Sequence, residues 1–363
     1  METKTYNKIE LARFINSEQY YILKNIPISK QRAISQINNP RASDDDVILV
    51  AVFDENKIVG YLGVLPDILY TESSKEKIGW LTCFWVDDEY KSQNVAANLF
   101  LRVIRAWDKK IFITNIVPWL EPVYQKTNIF QSTIYKEGLR GYLRFNFSDI
   151  LPPKKKIFKN IVPVLKTIDF TLNLIQNIRL SFFNKYQFNG IKYEYLSLID
   201  EKTSDFIDLY KKKYVNQRGK SELDWIMQYP WIIQGAKNDH NSLRYYFTSL
   251  CKRFYYQLVR FSDNNGIIGV ILISIRDNNL NVPYVFVETS NIDIISKFLI
   301  NTMLESKLNM VTIFNKELVS SINQIKSPFY FKKVIRKPYF ISKRFELVKD
   351  LCFQDGDGDC VFY

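Results

Sequence analysis

The arrangement of apolar and polar positions along the first 150 residues predicts helices followed by a sheet. Residues 6–38 carry apolar side chains at helical spacing. Three apolar runs then predict strands over residues 47–53, 57–65 and 78–86. Pro66 is expected to end the second of these strands, because proline cannot donate a hydrogen bond to a neighbouring strand.

The pattern continues with a further helix and further strands. Helical spacing returns over residues 96–107, a short apolar run covers 110–116, and 118–126 fits a short helix. Two final strands are predicted over 131–136 and 142–147. This order of elements predicts an α/β domain over residues 1–150.

Residues 151–190 predict a helical connector. Pro152 and Pro153 break the chain, and residues 157–183 then place apolar side chains on one helical face, with lysine and arginine between them. Asp169 is the one acidic residue within this stretch. Such a basic amphipathic segment is typical of a helix packed between two domains, or of a helix that lies, here over residues 154–183, on an anionic membrane surface.

The second half repeats the order of elements without repeating the sequence. Two helical stretches, a hairpin, a central strand, a helix and further strands predict a second α/β domain over residues 191–347. Residues 348–363 are predicted to form an acidic tail, in which aspartate and glycine alternate from Asp355 to Asp359. Cys360 stands where a calcium-binding EF-hand loop needs glycine, so we expect a flexible tail or one docked onto the basic body.

Composition narrows the chemistry. The single histidine, His240, and four cysteines without metal-ligand spacing argue against a zinc site and against a Ser-His-Asp triad. Without a leader pattern or a long apolar run, the sequence predicts a cytoplasmic protein with reduced thiols. The formal net charge of +12 at pH 7 favours an anionic partner, whether nucleic acid, lipid or cofactor.

The third predicted strand runs into a polar turn and then a helix, which leaves backbone N–H groups free at the start of that helix. Lys91, Asn94 and Ala96 have the spacing Arg/Gln-x-x-Gly-x-Gly/Ala. The stretch therefore resembles motif A of the GNAT acyltransferases, whose order of elements this chain also shares. Asn94 replaces a glycine, but asparagine tolerates a left-handed backbone better than most residues.

The resemblance implies acetyl-CoA as co-substrate and no metal. In this family the turn grips the pyrophosphate, so backbone N–H groups at the helix start would hold it and Lys91 would add charge. A backbone N–H at the end of the central strand would polarise the thioester carbonyl. The predicted cofactor-binding residues are Trp85, Val86, Lys91, Ser92, Gln93, Asn94, Val95, Ala96 and Ala97.

A second family element is a short helix that ends in Tyr-x-x-x-Gly-Phe. Tyr124 matches its tyrosine, Asn128 replaces its glycine, and Phe130 is displaced by one residue. The resemblance implies that Tyr124 is the general acid that protonates the departing thiolate. Glu121 and Asp87 are candidates for the base, although both positions also suit solvent exposure or a capping role.

Cys83 lies on the central strand without a basic partner nearby in sequence. A small buried hydrophobe is therefore the better interpretation of this residue than a nucleophile.

The predicted fold class is α/β, in the GNAT-like α+β form. Two mixed-sheet domains, each flanked by helices, are joined by the basic amphipathic connector. Glu288 places a carboxylate where the second domain would need a phosphate-binding turn, so that domain is expected to be degenerate and to shape an acceptor cleft.

The predicted activity is acyl transfer from acyl-CoA to a primary amine of a small molecule, such as an amino sugar or an amino acid. A Fem-type transferase that uses aminoacyl-tRNA is the first alternative, favoured by the basic charge and opposed by the pyrophosphate turn. A non-catalytic acyl-CoA-binding protein is the second, favoured by the two Gly-to-Asn replacements.

Overall fold

The computed structural model describes residues 1–71, 74–117, 120–131, 133–235, 242–345 and 352–362. The helices in this part of the chain are α1 Lys8–Phe14, α2 Glu18–Ile22, α3 Lys30–Ile37, α4 Val95–Ala106, α5 Glu121–Lys126, α6 Phe147–Ile150, α7 Ile157–Asn160, α8 Val162–Ser181, α9 Glu201–Lys211, α10 Lys220–Gln228, α11 Ile292–Glu305 and α12 Lys316–Gln324.

The strands are β1 Glu2–Tyr6, β2 Leu49–Asp54, β3 Lys57–Tyr70, β4 Lys75–Val86, β5 Ile111–Thr114, β6 Ile134–Tyr142, β7 Lys192–Leu196, β8 Ile233–Gln234, β9 Leu250–Cys251, β10 Phe254–Asp263, β11 Gly266–Arg276, β12 Asn279–Val287, β13 Met310–Ile313 and β14 Phe331–Ile341.

The chain divides into two compact units. Unit 1 contains Met1–Lys136, Ser197–Phe254 and Lys337–Tyr363, and unit 2 contains Glu137–Leu196 and Tyr255–Arg336. This division differs from the linear division at residues 150, 190 and 347, because segments from the second half of the sequence pack with the first unit. The linear domain boundaries stay a prediction.

Unit 1 contains a mixed sheet in the order β1-β2-β3-β4-β5-β14. Its pairs are antiparallel except for β4 and β5, which run parallel. One face packs on α4 through Val52, Leu62 and Leu99. The other face packs on α1–α3 through Leu11, Phe53 and Tyr61. The alternation of β2 side chains between these two cores explains why that strand reads as one continuous apolar run.

Unit 2 contains the part of β6 from Glu137 onward, followed in the sheet order by β13-β12-β11-β10-β7. The β12–β13 pair is parallel, and the β10–β7, β11–β12 and β6–β13 pairs are antiparallel. Helices α11 and α12 pack on it through Phe298, Leu299 and Leu318. The predicted α/β class is confirmed, and the predicted hairpin, central strand and helix of the second half all form.

In each unit, one strand comes from the other half of the sequence. In unit 1 the strand after β5 is β14, whose Tyr339 pairs with Thr114. In unit 2 the strand beside β13 is β6, whose Leu139 pairs with Ile313. The last strands of the two sequence halves are therefore exchanged, and this exchange explains why no single cut in the sequence separates the units.

The prediction of two strands over 131–136 and 142–147 is wrong, since β6 is one continuous strand. Gly138 and Gly141 lie inside it, and neither makes a turn. A Cβ atom on Gly138 would lie 2.5 Å from the ring of Phe314, and one on Gly141 would lie 3.0 Å from Phe329. Both glycines are required by close packing of aromatic rings, a feature that local sequence does not report.

Pro66 does not end β3, contrary to expectation. The strand continues to Tyr70, and Pro66 pairs with Gly79 of β4. The ladder with β2 ends at Leu49 opposite Gly63, so Pro66 lies where β3 has β4 on one side only. The missing N–H group is tolerated at such an edge position.

The predicted helix over 157–183 forms largely as α8, and α8 belongs to unit 2. Its role as a connector between domains stays a prediction. The acidic tail is docked and is not a flexible segment. Asp357 and Asp359 are buried, and the ring of Phe353 stacks on Tyr339 with 4.4 Å between centroids.

The tail gives the protein a pH-dependent stability. Burial raises the pKa of Asp357 to about 6, against about 3.9 for an unfolded aspartate. The folded chain therefore binds this proton more tightly, so stability falls as pH rises from about 4 to about 6. Asp357→Asn should stabilise the protein by about 2–3 kcal/mol at pH 7 and by much less at pH 4. Urea unfolding at both pH values measures this, and an equal effect at both would contradict the assignment.

Candidate active site

The central strand β4 carries a bulge at the place where it leaves its neighbour. Tyr61 pairs with Trp85 and Gly63 with Thr82, so two β4 residues stand opposite Leu62. One of them, Cys83, has φ +52°, which is the left-handed region. Bulges shift the alternation of side chains and are frequent next to active sites.

The bulge reorganises both faces of the strand. Phe84 and Val86 pack on the α4 side, whereas Cys83 and Trp85 pack on the α1–α3 side. Pairing with the parallel strand β5 ends at Leu81 opposite Ile113, although β4 runs on to Val86. The last five residues of β4 therefore extend beyond the β5 ladder, and a carbonyl group could reach their backbone from that side.

After β4 the chain forms a 3-10 turn over Asp88–Tyr90 and then the turn that leads into α4. Asn94 is the N-cap of α4, with φ +57° and ψ +17°, and its side chain makes no capping hydrogen bond. The left-handed backbone predicted for the Gly-to-Asn replacement is present. Asn128, the second such replacement, also has φ +57°.

The predicted phosphate-binding residues lie together on this turn. Lys91, Ser92, Gln93, Asn94, Ala96 and Ala97 are exposed, and Val95 is buried in the α4 core. The N–H of Asn98 makes the first helical bond, to the carbonyl of Asn94 at 3.0 Å. The N–H groups of Val95, Ala96 and Ala97 precede this first bond and add to the positive end of the helix dipole, whereas the N–H of Gln93 donates to the carbonyl of Tyr90 at 3.0 Å.

Two charges border the turn. Lys91 forms an exposed ion pair with Asp88 at 2.5 Å, and the hydrogen bond from this pair raises the pKa of Lys91. Burial alone would raise the pKa of Asp87, but hydrogen bonds from Lys57 at 3.0 Å and from the N–H of Glu89 lower it overall. These bonds give Asp87 a capping role in the 3-10 turn, and its lowered pKa makes it a weaker base.

Tyr124 projects from α5 into the core that also holds Leu81 and Val95. Its ring lies 6.0 Å from Phe100 and 6.2 Å from Phe340, centroid to centroid. Burial raises the pKa of the Tyr124 phenol to about 12. The hydroxyl is protonated at neutral pH, and the raised pKa makes it a weaker acid than an exposed tyrosine. Glu121 begins the same helix and accepts a hydrogen bond from the hydroxyl of Tyr135.

The α1–α3 side of the bulge holds a buried polar cluster that local patterns did not indicate. Arg32 of α3 donates to Cys83, to Thr82 at 2.8 Å and to the hydroxyl of Tyr245 at 2.9 Å. The hydroxyl of Thr82 donates in turn to Asp359 of the tail. We call Arg32, Thr82, Cys83, Tyr245 and Asp359 the bulge cluster. Its members come from four separate stretches of sequence, so only the fold brings them together.

Aromatic rings enclose the bulge cluster. The guanidinium of Arg32 lies over the ring of Trp231 at 4.1 Å, a cation–π contact. Trp231 stacks in turn on Phe362 of the tail, with 4.2 Å between centroids and 5° between planes. The tail is thus built into this side of β4.

Comparisons with known proteins show which proteins this chain is similar to in sequence and in fold. Residues 13–121 match the acetyltransferase (GNAT) family model. This segment is similar to the GNAT acetyltransferases. The matched segment contains the bulged strand, the turn and the first residue of α5. The match supports the predicted class of acyltransferase, and the GNAT family implies acyl-CoA as the donor.

Solved structures show the GNAT fold over most of the chain. A probable N-acyltransferase from Enterococcus faecalis has a TM-score of 0.55 at 9% identity, covering 94% of this chain and 72% of that one. A GCN5-related N-acetyltransferase from Anabaena variabilis has a TM-score of 0.50 at 12% identity, covering 93% and 72%. None of the curated proteins compared is significantly similar in sequence.

Within the described ranges, no group of three or more His, Cys, Asp or Glu side chains could hold a metal ion. None of the helices among the described residues is long and apolar enough to cross a membrane. His240, named above for the absent triad, lies outside the described residues.

Proposed function

We propose that unit 1 transfers an acetyl or other acyl group from acyl-CoA to the primary amine of a small molecule, such as an amino sugar or an amino acid. The observation that carries this proposal is the bulged end of β4, which leads through a left-handed Asn94 into the exposed start of α4. A donor pyrophosphate on that helix start would direct its thioester toward the end of β4.

Binding of the donor would use backbone groups more than side chains. Exposed N–H groups between Gln93 and Ala97 would hold the pyrophosphate, with Lys91 adding a positive charge. The N–H of Trp85 or Val86 would polarise the thioester carbonyl, because β4 there extends beyond its ladder with β5. Asn94 has the left-handed backbone that a glycine would provide at this position, which supports acyl transfer over the non-catalytic alternative.

In the transfer step, the amine nitrogen attacks the carbonyl carbon, the new C–N bond forms and the C–S bond breaks. Tyr124 gives its proton to the departing thiolate sulfur. The amine loses a proton to a base, for which Glu121 suits better than Asp87 because the pKa of Asp87 is lowered. The bulge cluster would line the acceptor side, since it occupies the face of β4 opposite α4.

The direct test is release of CoA thiol by the purified protein. Acetyl-CoA is incubated with a panel of amino sugars, amino acids and diamines, and free thiol is followed with a disulfide reagent. Turnover that requires one class of amine supports the proposal and names the acceptor class. Thiol release that is the same without any amine would contradict acyl transfer to an amine.

Ala96→Asp should weaken binding of CoA by tenfold or more. The new carboxylate would lie at the helix start, where repulsion of the pyrophosphate at about 4 Å is worth roughly 1 kcal/mol in water and several in a less polar cleft. The fold should tolerate it, because an acidic residue stabilises the first turn of a helix. Isothermal titration calorimetry measures the affinity, and one CoA per chain is expected.

Ala106→Asp is the matched control, since Ala106 is an exposed alanine at the other end of α4. It should leave CoA affinity unchanged. Equal affinity in both variants would remove the turn as the binding site. Two CoA molecules per wild-type chain would contradict the expectation that unit 2, with Glu288 before its 3-10 turn at Thr289–Asn291, has lost donor binding.

A further inference from the structure

Helix α8 in unit 2 differs from an ordinary surface helix, because it buries polar side chains and exposes many apolar ones. Its inward face carries Asp169 and Gln176 as well as Leu165 and Leu180, all buried. Asp169 accepts hydrogen bonds from the N–H groups of Phe147 and Ser148 at 2.7 and 2.8 Å. These polar anchors fix the rotation of the helix, and they leave its most apolar side facing outward.

The outward side is a largely apolar stripe. Val164, Ile168, Ile175, Ile178 and Phe182 lie along one line of the helix, which the exposed Thr171 interrupts. Ile175 and Ile178 are each 63% exposed and Phe182 is 81% exposed. The α8 stripe is defined as the exposed apolar side chains on this line together with those beside and before it: Ile157, Ile161, Val164, Ile168, Phe170, Leu174, Ile175, Ile178 and Phe182.

The α8 stripe is far longer than the single exposed hydrophobic side chains that are common on protein surfaces. At 1.5 Å per residue the 20 residues of α8 extend for about 30 Å. Apolar patches of this extent mark a binding surface. The physical question is therefore which partner covers the stripe.

Charge decides between the candidate partners. Lys154, Lys155, Lys156, Lys159 and Lys166 flank the stripe and are exposed. Asp169 is the one acidic residue between positions 151 and 190, and it is turned inward. A second copy of the same helix would bring lysines against lysines without an exposed carboxylate on this segment to pair with them. An anionic surface would match the charge of these lysines, which are concentrated at the N-terminal end of the segment.

We propose that the α8 stripe and its lysines dock unit 2 on an anionic phospholipid bilayer. The helix would lie in the plane of the interface, with Ile168, Ile175 and Phe182 among the acyl chains and the lysines at the headgroup phosphates. Such docking is peripheral and reversible. It does not depend on the proposed acyl transfer.

The test is sedimentation of the full-length protein with lipid vesicles. Vesicles of phosphatidylcholine containing about one third phosphatidylserine should bind the protein, and pure phosphatidylcholine should bind it at least tenfold more weakly, because each basic residue near an anionic surface adds about fivefold. Higher salt should weaken the binding. Failure of the wild-type protein to bind anionic vesicles would overturn the proposal.

Two double variants distinguish vesicle binding through the α8 stripe from nonspecific adsorption to lipid. Ile175→Asp with Ile178→Asp should lower vesicle binding at least tenfold. Phe331→Asp with Val334→Asp is the matched control, because these two β14 side chains of unit 2 are 54% and 63% exposed. The control should bind like the wild-type protein, and circular dichroism checks the folding of both. Equal binding by both double variants would overturn the proposal.

Light scattering without lipid distinguishes the second-copy alternative. A wild-type dimer that becomes a monomer in Ile175→Asp with Ile178→Asp would assign the stripe to self-association and overturn membrane docking. A monomer in all three proteins, together with lipid binding by wild type and control alone, supports docking. Lys155→Gln with Lys159→Gln should then reduce binding to anionic vesicles by about 25-fold.

Discussion

Replacing Tyr124 with phenylalanine is expected to lower kcat by about 10²–10⁴-fold, the range that one positioned acid contributes. The ring stays in its aromatic environment between Phe100, Phe130 and Phe340, so folding and donor binding should change little. Without the hydroxyl, the thiolate must leave unprotonated or take a proton from water. Steady-state kinetics with saturating acetyl-CoA measures the loss.

Tyr70→Phe serves as the control, because it removes a hydroxyl from the far end of β3, eight positions beyond the bulge partner Leu62. Its kcat should be unchanged. A solvent isotope effect on the wild-type kcat shows whether proton transfer limits the rate. If it does and Tyr124→Phe still turns over normally, Tyr124 is not the acid.

Asp67→Asn is expected to lower the free energy of unfolding by about 3–5 kcal/mol, the cost of leaving a buried charge without its partner. Asp67 is fully buried between two arginines in unit 1, Arg41 at 2.5 Å and Arg218 at 2.7 Å. Arg218 also donates to the carbonyls of Gly356 and Gly358 in the tail. The substitution keeps the shape but leaves two buried guanidinium groups short of one negative charge.

A control variant separates the effect of removing this buried charge from the effect of removing an exposed ion pair. Asp108→Asn is the control, because its 3.4 Å pair with Arg344 is exposed and should be worth less than about 1 kcal/mol. Urea unfolding followed by tryptophan fluorescence measures both, and the indole of Trp80 reports locally because it donates to Asp67 at 3.1 Å. Similar stabilities for the two variants would contradict the account.

The wild-type protein should also lose stability in acid. Burial alone would raise the pKa of Asp67, but Arg218 and Arg41 lower it overall. A carboxyl with a lowered folded pKa contributes stability that is complete above the unfolded value near 3.9 and is lost as pH falls toward the folded value.

Local patterns predicted the strand, turn and helix around the bulge because those features depend on neighbouring residues. The apolar run of β4, the polar turn and the spacing of α4 are all readable within 30 residues. The left-handed backbone at Asn94 and Asn128 also follows from the side chain itself. The predicted site residues on the turn lie together in the structure, and their roles stay predictions.

What the sequence did not predict depends on contacts between distant residues. The bulge cluster joins Arg32 to Tyr245 and Thr82 to Asp359, pairs separated by 213 and 277 positions. Alternating aspartate and glycine in the tail suggested solvent exposure, because burial of an aspartate requires partners that no local pattern displays. The strand β1 was also missed, since it is stabilised by pairing with β2 more than by its own mixed polar residues.

The exchange of β6 and β14 has a consequence for synthesis of the chain on the ribosome. Thr114 at the end of β5 bonds to Pro338, 224 residues later. At a synthesis rate of about 5–20 residues per second, translation from β5 to β14 takes roughly 11–45 s. The edge of β5 lacks its β14 partner during that time. During that interval an unpaired strand edge is available to other chains. The nascent protein is therefore most exposed to misassembly while the sequence between these strands is being translated, and a chaperone that covers β5 would act within that interval.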